Sequence, residues 1–298
     1  MAKHLLTLRD LSKEEIMGLI QRALEIKSGG GQASDRLKGK TLGLIFDKPS
    51  TRTRVSFEVA MFRLGGSTLY LGRADTQMSR NEPAKDTARV LSRYLDALAI
   101  RTFGQALVKE MARWSAIPVI NALTDQYHPC QVLSDLMTVV EKKNGLDGLK
   151  IAWIGDGNNV ARSWINAAGI LGLELVLACP PGYHPGKGLV QWAGGNVKVV
   201  EDPKEAARGA HVINTDVWAS MGQEEEKEER IKIFQPYQVD QSLVELADPA
   251  VIVMHCLPAH RGEEITEEVL EGPKSVVFDQ AENKMHLHQA LLEMLLAK

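Results

Sequence analysis

The sequence predicts an α/β protein of two doubly wound parallel-sheet domains, with the C-terminal helix packing back on the N-terminal domain. Three observations predict it. Short apolar runs alternate with stretches of helical apolar spacing, the pattern of parallel strands joined by crossover helices. The 298 residues suffice for two domains of ordinary size. Unusual polar residues recur just after the apolar runs, where open parallel sheets bind ligands.

Element by element, Ser12 and Glu15 form a capping box, and Ile16, Leu19, Ile20, Ala23 and Leu24 follow at helical spacing. Gly29-Gly30-Gly31 closes that helix. Strands are expected near 41–46, 67–71, 97–101 and 118–121, then near 150–154, 173–178, 197–200, 211–214, 251–254 and 275–278. Helical spacing fills the gaps, as over Val55, Val59, Phe62 and Leu64, over Thr87 to Leu95, over Leu107 to Trp114 and over Val132 to Val140. Trp153 and Trp164 read as core. The run Glu141-Lys142-Lys143-Asn144-Gly145 marks a boundary, giving one domain over 1–143, joined by a final helix within 282–298, and a second over 144–281. That final helix carries Leu287, Leu291, Leu292 and Leu295.

Composition narrows the function. Hydrophobic residues make up 44% and charged residues 24%, enough to bury full cores, and the net charge of -3 offers no basic excess for nucleic acid or an anionic membrane. Cys130, Cys179 and Cys256 are scattered and form no CxxC pair, and the eight histidines include no HExxH, so a reducing compartment is expected and a metal site is not. The N-terminus lacks a signal-peptide core and no run approaches membrane-spanning length; a cytoplasmic protein is expected.

The chemistry lies at the strand ends. Ser50-Thr51-Arg52-Thr53-Arg54 follows the first strand and opens a helix, whose unpaired N–H groups and positive dipole end suit a phosphate-sized dianion. Arg101-Thr102 closes the third strand, and His128-Pro129-Cys130-Gln131 follows the fourth. In the second half, Gly155-Asp156-Gly157-Asn158-Asn159, Asp216 to Met221 and His255-Cys256-Leu257-Pro258 hold the equivalent places. Val160 stands where a dinucleotide fingerprint needs its third glycine, so no nicotinamide or flavin is expected, and no P-loop appears.

Taken together, the Ser-Thr-Arg-Thr-Arg, Arg101-Thr102, His-Pro-Cys-Gln, Asp216-Val217-Trp218-Ala219-Ser220-Met221-Gly222 and His-Cys-Leu-Pro motifs resemble the aspartate/ornithine carbamoyltransferase family, and the last two resemble its ornithine-specific members. The resemblance spans nearly the whole chain. It implies transfer of the carbamoyl group from carbamoyl phosphate to the δ-amine of L-ornithine, giving citrulline and phosphate without metal or cofactor. It implies a first domain for carbamoyl phosphate, a second for ornithine, and a homotrimer or multiple of trimers with active sites at subunit interfaces. By the same resemblance, Ser50, Thr51, Arg52, Thr53, Gln77, Arg101, His128, Gln131, Cys256, Leu257 and Lys284 would hold carbamoyl phosphate. Asn159, Asp216, Ser220 and Met221 would hold ornithine, and Arg101, His128 and Cys256 would be catalytic.

One position departs from the family. Lys284 stands where arginine is usual, keeping the charge but losing the planar fork, which implies weaker carbamoyl phosphate binding or compensation nearby. Three other readings remain: a carbamoyltransferase for another amine such as putrescine or an N-acylated ornithine, an inactive regulatory relative, and an acyl-cysteine role for Cys256. Asp216 and Ser220, suited to a cation, speak against N-acylation, and Asn159, suited to a carboxylate, speaks against putrescine. No separate base adjoins Cys256 in sequence to activate it as a nucleophile.

Overall fold

The computed structural model describes residues 2–72, 76–219 and 226–297. The chain divides into two compact units, Met1–Met137 with Glu282–Lys298, and Thr138–Ala281.

In the first unit the order is α1 (Lys13–Ser28), β1 (Thr41–Phe46), α2 (Thr51–Arg63), β2 (Ser67–Gly72), α3 (Ala84–Leu91), β3 (Ala97–Arg101), α4 (Gln105–Trp114), β4 (Val119–Leu123) and α5 (Pro129–Lys143). The four strands are parallel, in the order β2-β1-β3-β4. The capping box forms: Ser12 Oγ accepts from Glu15 N at 3.2 Å, and Glu15 Oε2 accepts from Ser12 N at 3.0 Å. β3 is buried at every residue and β1 at all but its first, as strands covered on both faces must be. Ile45, Leu98, Ile100, Val108, Met111 and Val119 build one core.

The second unit holds β5 (Lys150–Ile154), α6 (Asn159–Leu171), β6 (Glu174–Ala178), α7 (Lys187–Ala193), β7 (Val197–Val200), α8 (Pro203–Ala207), β8 (Val212–Thr215), α9 (Lys227–Phe234), α10 (Gln241–Val244), β9 (Ile252–His255) and α11 (Glu267–Leu270). Its five parallel strands run β7-β6-β5-β8-β9 over a core that includes Ile154, Ile213, Val239, Val253 and Leu270. The last helix, α12 (Val277–Leu296), begins in this unit and continues into the first. Trp153 and Trp164 are buried core residues, as expected.

Both sheets have a switch point, where the strand order turns from one direction to the other. In the first it lies between β1 and β3, in the second between β5 and β8. Arg101 closes β3, and the loops that follow β1, β5 and β8 carry Ser50, Asn158 and Asp216. The fold thus sets the polar motifs where a parallel sheet leaves room for a ligand.

Two expectations require correction. No strand forms over 275–278: Ser275 makes a single bridge to Val253, and Val277 already starts α12, which is therefore five residues longer at its start than the expected 282. Gln280 N donates to Val276 O at 2.9 Å, so the helical ladder captures these valines once the one bridge is made. The apolar face of α2 is also misassigned. Val55 and Phe62 are 48% and 75% exposed, while Thr53, Ser56, Phe57, Ala60 and Met61 face the core. The helix is apolar on two sides, and burial within the unit uses the other one.

Candidate active site

In the first unit, Ser50 caps α2 with an extended backbone, its Oγ accepting from Thr53 N at 3.3 Å. The first turn of α2 carries no acidic residue, so its N–H groups and dipole remain suited to an anion. Thr51 is exposed, Arg52 half-buried and Thr53 buried. Arg54 is turned elsewhere: it donates to Glu58 at 2.9 Å and lies 3.8 Å from the Tyr70 ring. Gln77 is exposed on a short 3-10 turn, Gln77–Arg80, apart from the buried group described next.

Arg101 ends β3 at a register shift between Ile100 and Arg101, an irregularity of the kind that re-aims a side chain. The loop after β1 is sewn to this strand end, Asp47 N donating to Arg101 O at 2.8 Å and Thr102 Oγ1 to Asp47 Oδ2 at 2.6 Å. A buried polar network places His128. Thr124 N donates to Tyr127 O at 2.9 Å, and the Gln105 amide oxygen accepts from Thr124 Oγ1 at 2.6 Å and from Asn121 Nδ2 at 3.2 Å. Pro129, which needs no N–H partner, then opens α5.

Arg101, His128 and Lys284 are all buried, and the structure brings them into electrostatic contact. Burial above all, then the charges of Lys284 and Arg101 and the nearby His288, hold His128 well below the usual histidine range; it is a neutral imidazole at pH 7. His288 is held down by burial and by Lys284, stacks on Phe57 at 3.7 Å and shares a 3.0 Å hydrogen bond between Nδ1 and Ser56 Oγ. Lys284 Nζ donates to Gln131 Oε1 at 2.9 Å, and Gln131 Nε2 donates to Asp135 Oδ1 at 2.8 Å. Cys130, between His128 and Gln131, is buried with its thiol pushed up to about 12, so it is packing rather than chemistry.

In the second unit, Asn158 caps α6, its Oδ1 accepting from Val160 N at 2.9 Å and Ala161 N at 3.1 Å. Its Nδ2 donates to Asp216 Oδ2 at 2.8 Å. The other carboxylate oxygen of Asp216 accepts from Val217 N at 2.8 Å and from the Cys256 thiol at 3.0 Å. Asn159 is half-buried at the first position of α6, its carbonyl taken by Ser163 Oγ at 2.8 Å. Ser220 and Met221 lie outside the described residues. Their flanks are anchored, since Arg230 of α9 donates to Trp218 O and to the Asp156 carboxylate. Burial pushes Asp156 up to about 6, with Arg230 opposing the shift.

Cys256 and Leu257 sit on a braced turn. Leu257 has φ of 55°, a left-handed conformation that a γ-branched residue rarely adopts. Its N–H donates to His255 Nδ1 at 2.8 Å, which leaves the ring proton on Nε2 to donate to Glu264 at 2.9 Å. The same Glu264 oxygen accepts from His260 N at 2.7 Å, and both His255 and Glu264 are fully buried. Donor atoms of Asp216, His255 and Cys256 lie within 4.8 Å of one another, but both His255 nitrogens are engaged, so the trio fits a hydrogen-bonded cluster and not a metal centre.

Sequence reading missed Asp135, Asn158, Arg230 and Glu264 as site builders. Asp135 had a signal, lying four residues after Gln131 on an expected helix. Asn158 stood within the Gly155-Asp156-Gly157-Asn158-Asn159 run at a strand end, but with no role of its own. Nothing in sequence ties Glu264 to His255 or Arg230 to Asp156.

The residue chemistry of the two units, each taken by itself, is that of a small-molecule group-transfer enzyme: one has a helix terminus suited to an anion and a set of buried basic donors, the other a carboxylate, amides and a thiol. Residues 3–141 match the carbamoyl-P binding domain of aspartate/ornithine carbamoyltransferase, and residues 147–295 match its Asp/Orn binding domain. The chain belongs to the aspartate/ornithine carbamoyltransferase family. It is 57% identical over 302 residues to the ornithine carbamoyltransferase of Desulfotalea psychrophila, covering 99% of this chain and all of the relative. Among solved structures it is similar to the ornithine carbamoyltransferase of Pyrococcus furiosus, with a TM-score of 0.95 and 49% identity over 99% of this chain and 97% of that one. The Thermus thermophilus enzyme gives 0.92 and 44%, covering 99% of each.

Proposed function

We propose that this protein is an ornithine carbamoyltransferase, transferring the carbamoyl group of carbamoyl phosphate to the δ-amine of L-ornithine and releasing citrulline and phosphate. The part-buried contact of Asp216 with Asn158, across the switch point of the second sheet, and with Cys256 after β9 carries this reading, because it joins a carboxylate suited to a cation to a group suited to an amine.

Residues 1–143 with 282–298 act as the carbamoyl phosphate domain and 144–281 as the ornithine domain. Ser50, Thr51, Arg52 and Thr53 take the phosphate through the α2 terminus, with Gln77 reaching it as well. Arg101 and neutral His128 donate to the carbonyl oxygen, whose negative charge grows in the tetrahedral transition state; one such donor is typically worth about 10²–10³ in rate. Gln131 accepts from the carbamoyl NH₂. Asn159 and Met221 hold the ornithine carboxylate, and Asp216 and Ser220 its α-ammonium.

The neutral δ-nitrogen attacks the carbamoyl carbon, the bond to the phosphate oxygen breaks, and phosphate leaves with the electron pair. Cys256 and the Leu257 carbonyl orient the amine. Because the Cys256 S–H points to Asp216, sulfur can take the amine proton only as its own proton moves to that carboxylate. The exposed apolar side chains of α2 and β2, among them Phe62 and Leu69, supply a face for a homotrimer. Among the described residues no helix is long and apolar enough to cross a membrane, and the free cysteines agree with a cytoplasmic setting.

The test is citrulline formation from carbamoyl phosphate and L-ornithine, with aspartate, putrescine and N-acetylornithine in parallel. Citrulline that disappears in Arg101→Ala supports the reaction and its site. No product from any acceptor would favour an inactive relative.

A further inference from the structure

The Gln131 amide lies between two groups of opposite hydrogen-bonding character. Lys284 Nζ has donors only and meets Oε1 at 2.9 Å; on the other side Asp135 Oδ1 accepts from Nε2 at 2.8 Å. Turning the amide over would set N–H against N–H and oxygen against oxygen, losing both bonds. Chemistry therefore fixes which end of Gln131 is which. Gln131, Asp135 and Lys284 are all buried, at 2%, 0% and 4% exposure, so water is poorly placed to replace either partner.

We propose that Lys284 and Asp135 are positioning residues that lock the Gln131 amide with its oxygen as the acceptor for the carbamoyl NH₂, and so set the preference for carbamoyl phosphate over acyl phosphates that carry a methyl group there. This rests on the carbamoyltransferase reading above. Lys284 takes one of the two lone pairs of Oε1, and the other serves the substrate. A methyl group in place of NH₂ leaves that lone pair unmet, the situation in which a polar site discriminates strongly. A lysine in place of the usual arginine thus acts on the substrate through Gln131.

The two clamp residues carry opposite charges, which separates positioning from simple electrostatics. The experiment measures the KM for carbamoyl phosphate, and the Ki of acetyl phosphate and of inorganic phosphate as competitors, in the full-length protein, Lys284→Met, Asp135→Leu and Lys284→Arg. On electrostatics alone, Lys284→Met weakens all three anions and Asp135→Leu tightens all three. On positioning, both variants lower the preference for carbamoyl over acetyl phosphate by about tenfold, the scale of one hydrogen bond to an uncharged partner. The inorganic phosphate Ki moves in opposite directions in the two, and Lys284→Arg, which keeps the donors, retains the preference. If one variant fails to fold, the other decides.

A preference unchanged in a folded Lys284→Met or Asp135→Leu would overturn the proposal while leaving the enzyme assignment intact. Absence of citrulline from the unaltered protein would instead remove the reading on which it rests.

Discussion

Asp216→Asn is the sharpest probe of the acceptor half-site. Asp216 is 8% exposed and collects three donors, from Val217, Cys256 and Asn158, before any substrate binds. In the proposed ornithine complex, an amide there removes the charge that faces the α-ammonium. A hydrogen bond to a charged group contributes about 1.5–3 kcal/mol, or roughly 10–150-fold in affinity. The new amide also turns an N–H toward either Cys256 or Asn158, both donors, adding about 1 kcal/mol, roughly fivefold. The expected loss in kcat/KM for ornithine is therefore about 10²–10³. The assay is initial-rate citrulline formation at saturating carbamoyl phosphate, repeated with 5-aminopentanoate, which keeps the carboxylate and the terminal amine but lacks the α-ammonium. For that acceptor the same substitution should cost only the smaller, roughly fivefold part. Equal losses for the two acceptors would refute the reasoning, since Asp216 would then act on Cys256 and the backbone and not on the substrate's cation.

Four further outcomes follow from the same geometry. Arg101→Gln should lower kcat by about 10²–10³, and the activity between pH 6 and 8 should show no ionisation of His128, because burial and Lys284 keep that ring neutral; pH–rate profiles check both. If the proposed trimer forms through α2, Phe62→Asp should shift the native mass towards monomer in light scattering, because it charges the exposed side of that helix and leaves the buried side unaltered. His288→Phe keeps the stack on Phe57 but loses the Ser56 bond, lowering Tm by a few degrees near pH 7, about 1 kcal/mol. The unaltered His288 is depressed when folded, so the unfolded chain binds the extra proton below about pH 6.5 and stability falls on acidification; urea titrations should show the variant losing less between pH 6.5 and 5. Asp156 has the opposite sign: raised to about 6 when folded, it holds its proton there between about pH 4 and 6 while the unfolded chain releases it. The stability difference between the unaltered protein and Asp156→Asn should thus shrink by about 1–3 kcal/mol from pH 4 to 6 and stay level above, and a difference flat throughout would contradict the shift.

Most strands were legible because central parallel strands are apolar on both faces. β1, β3, β5 and β7 occupy the expected residues, and β4, β6, β8 and β9 begin one residue later. Val276 and Val277 misled for the same reason, since two buried valines look alike in a strand and in the first turn of a helix. The two sides of α2 were beyond periodicity: Val55 and Phe62 are as apolar as Phe57 and Met61, and only the fold says which pair the unit buries. The strand-end residues were legible as a set because a parallel sheet puts its ligands there. Their partners were not, because they are distant in sequence: Lys284 meets Gln131 across 153 positions, Asp216 meets Cys256 across 40, and Asn158 meets Asp216 across 58.

The two half-sites share a device that no motif expresses. In the first unit the Gln131 amide sits between the donors of Lys284 and the carboxylate of Asp135. In the second, the Asn158 amide sits between the N–H groups that open α6 and the carboxylate of Asp216. In each case one neighbour can only donate and the other can only accept, so the amide has one stable orientation. An amide also adds no charge of its own. A carboxylate at 158 would repel Asp216, and an ammonium at 131 would repel Lys284, whereas the neutral side chain links the two groups without burying another ion. On the proposed function, the groups that face a charged substrate are thereby held in one orientation with no further ion buried beside them.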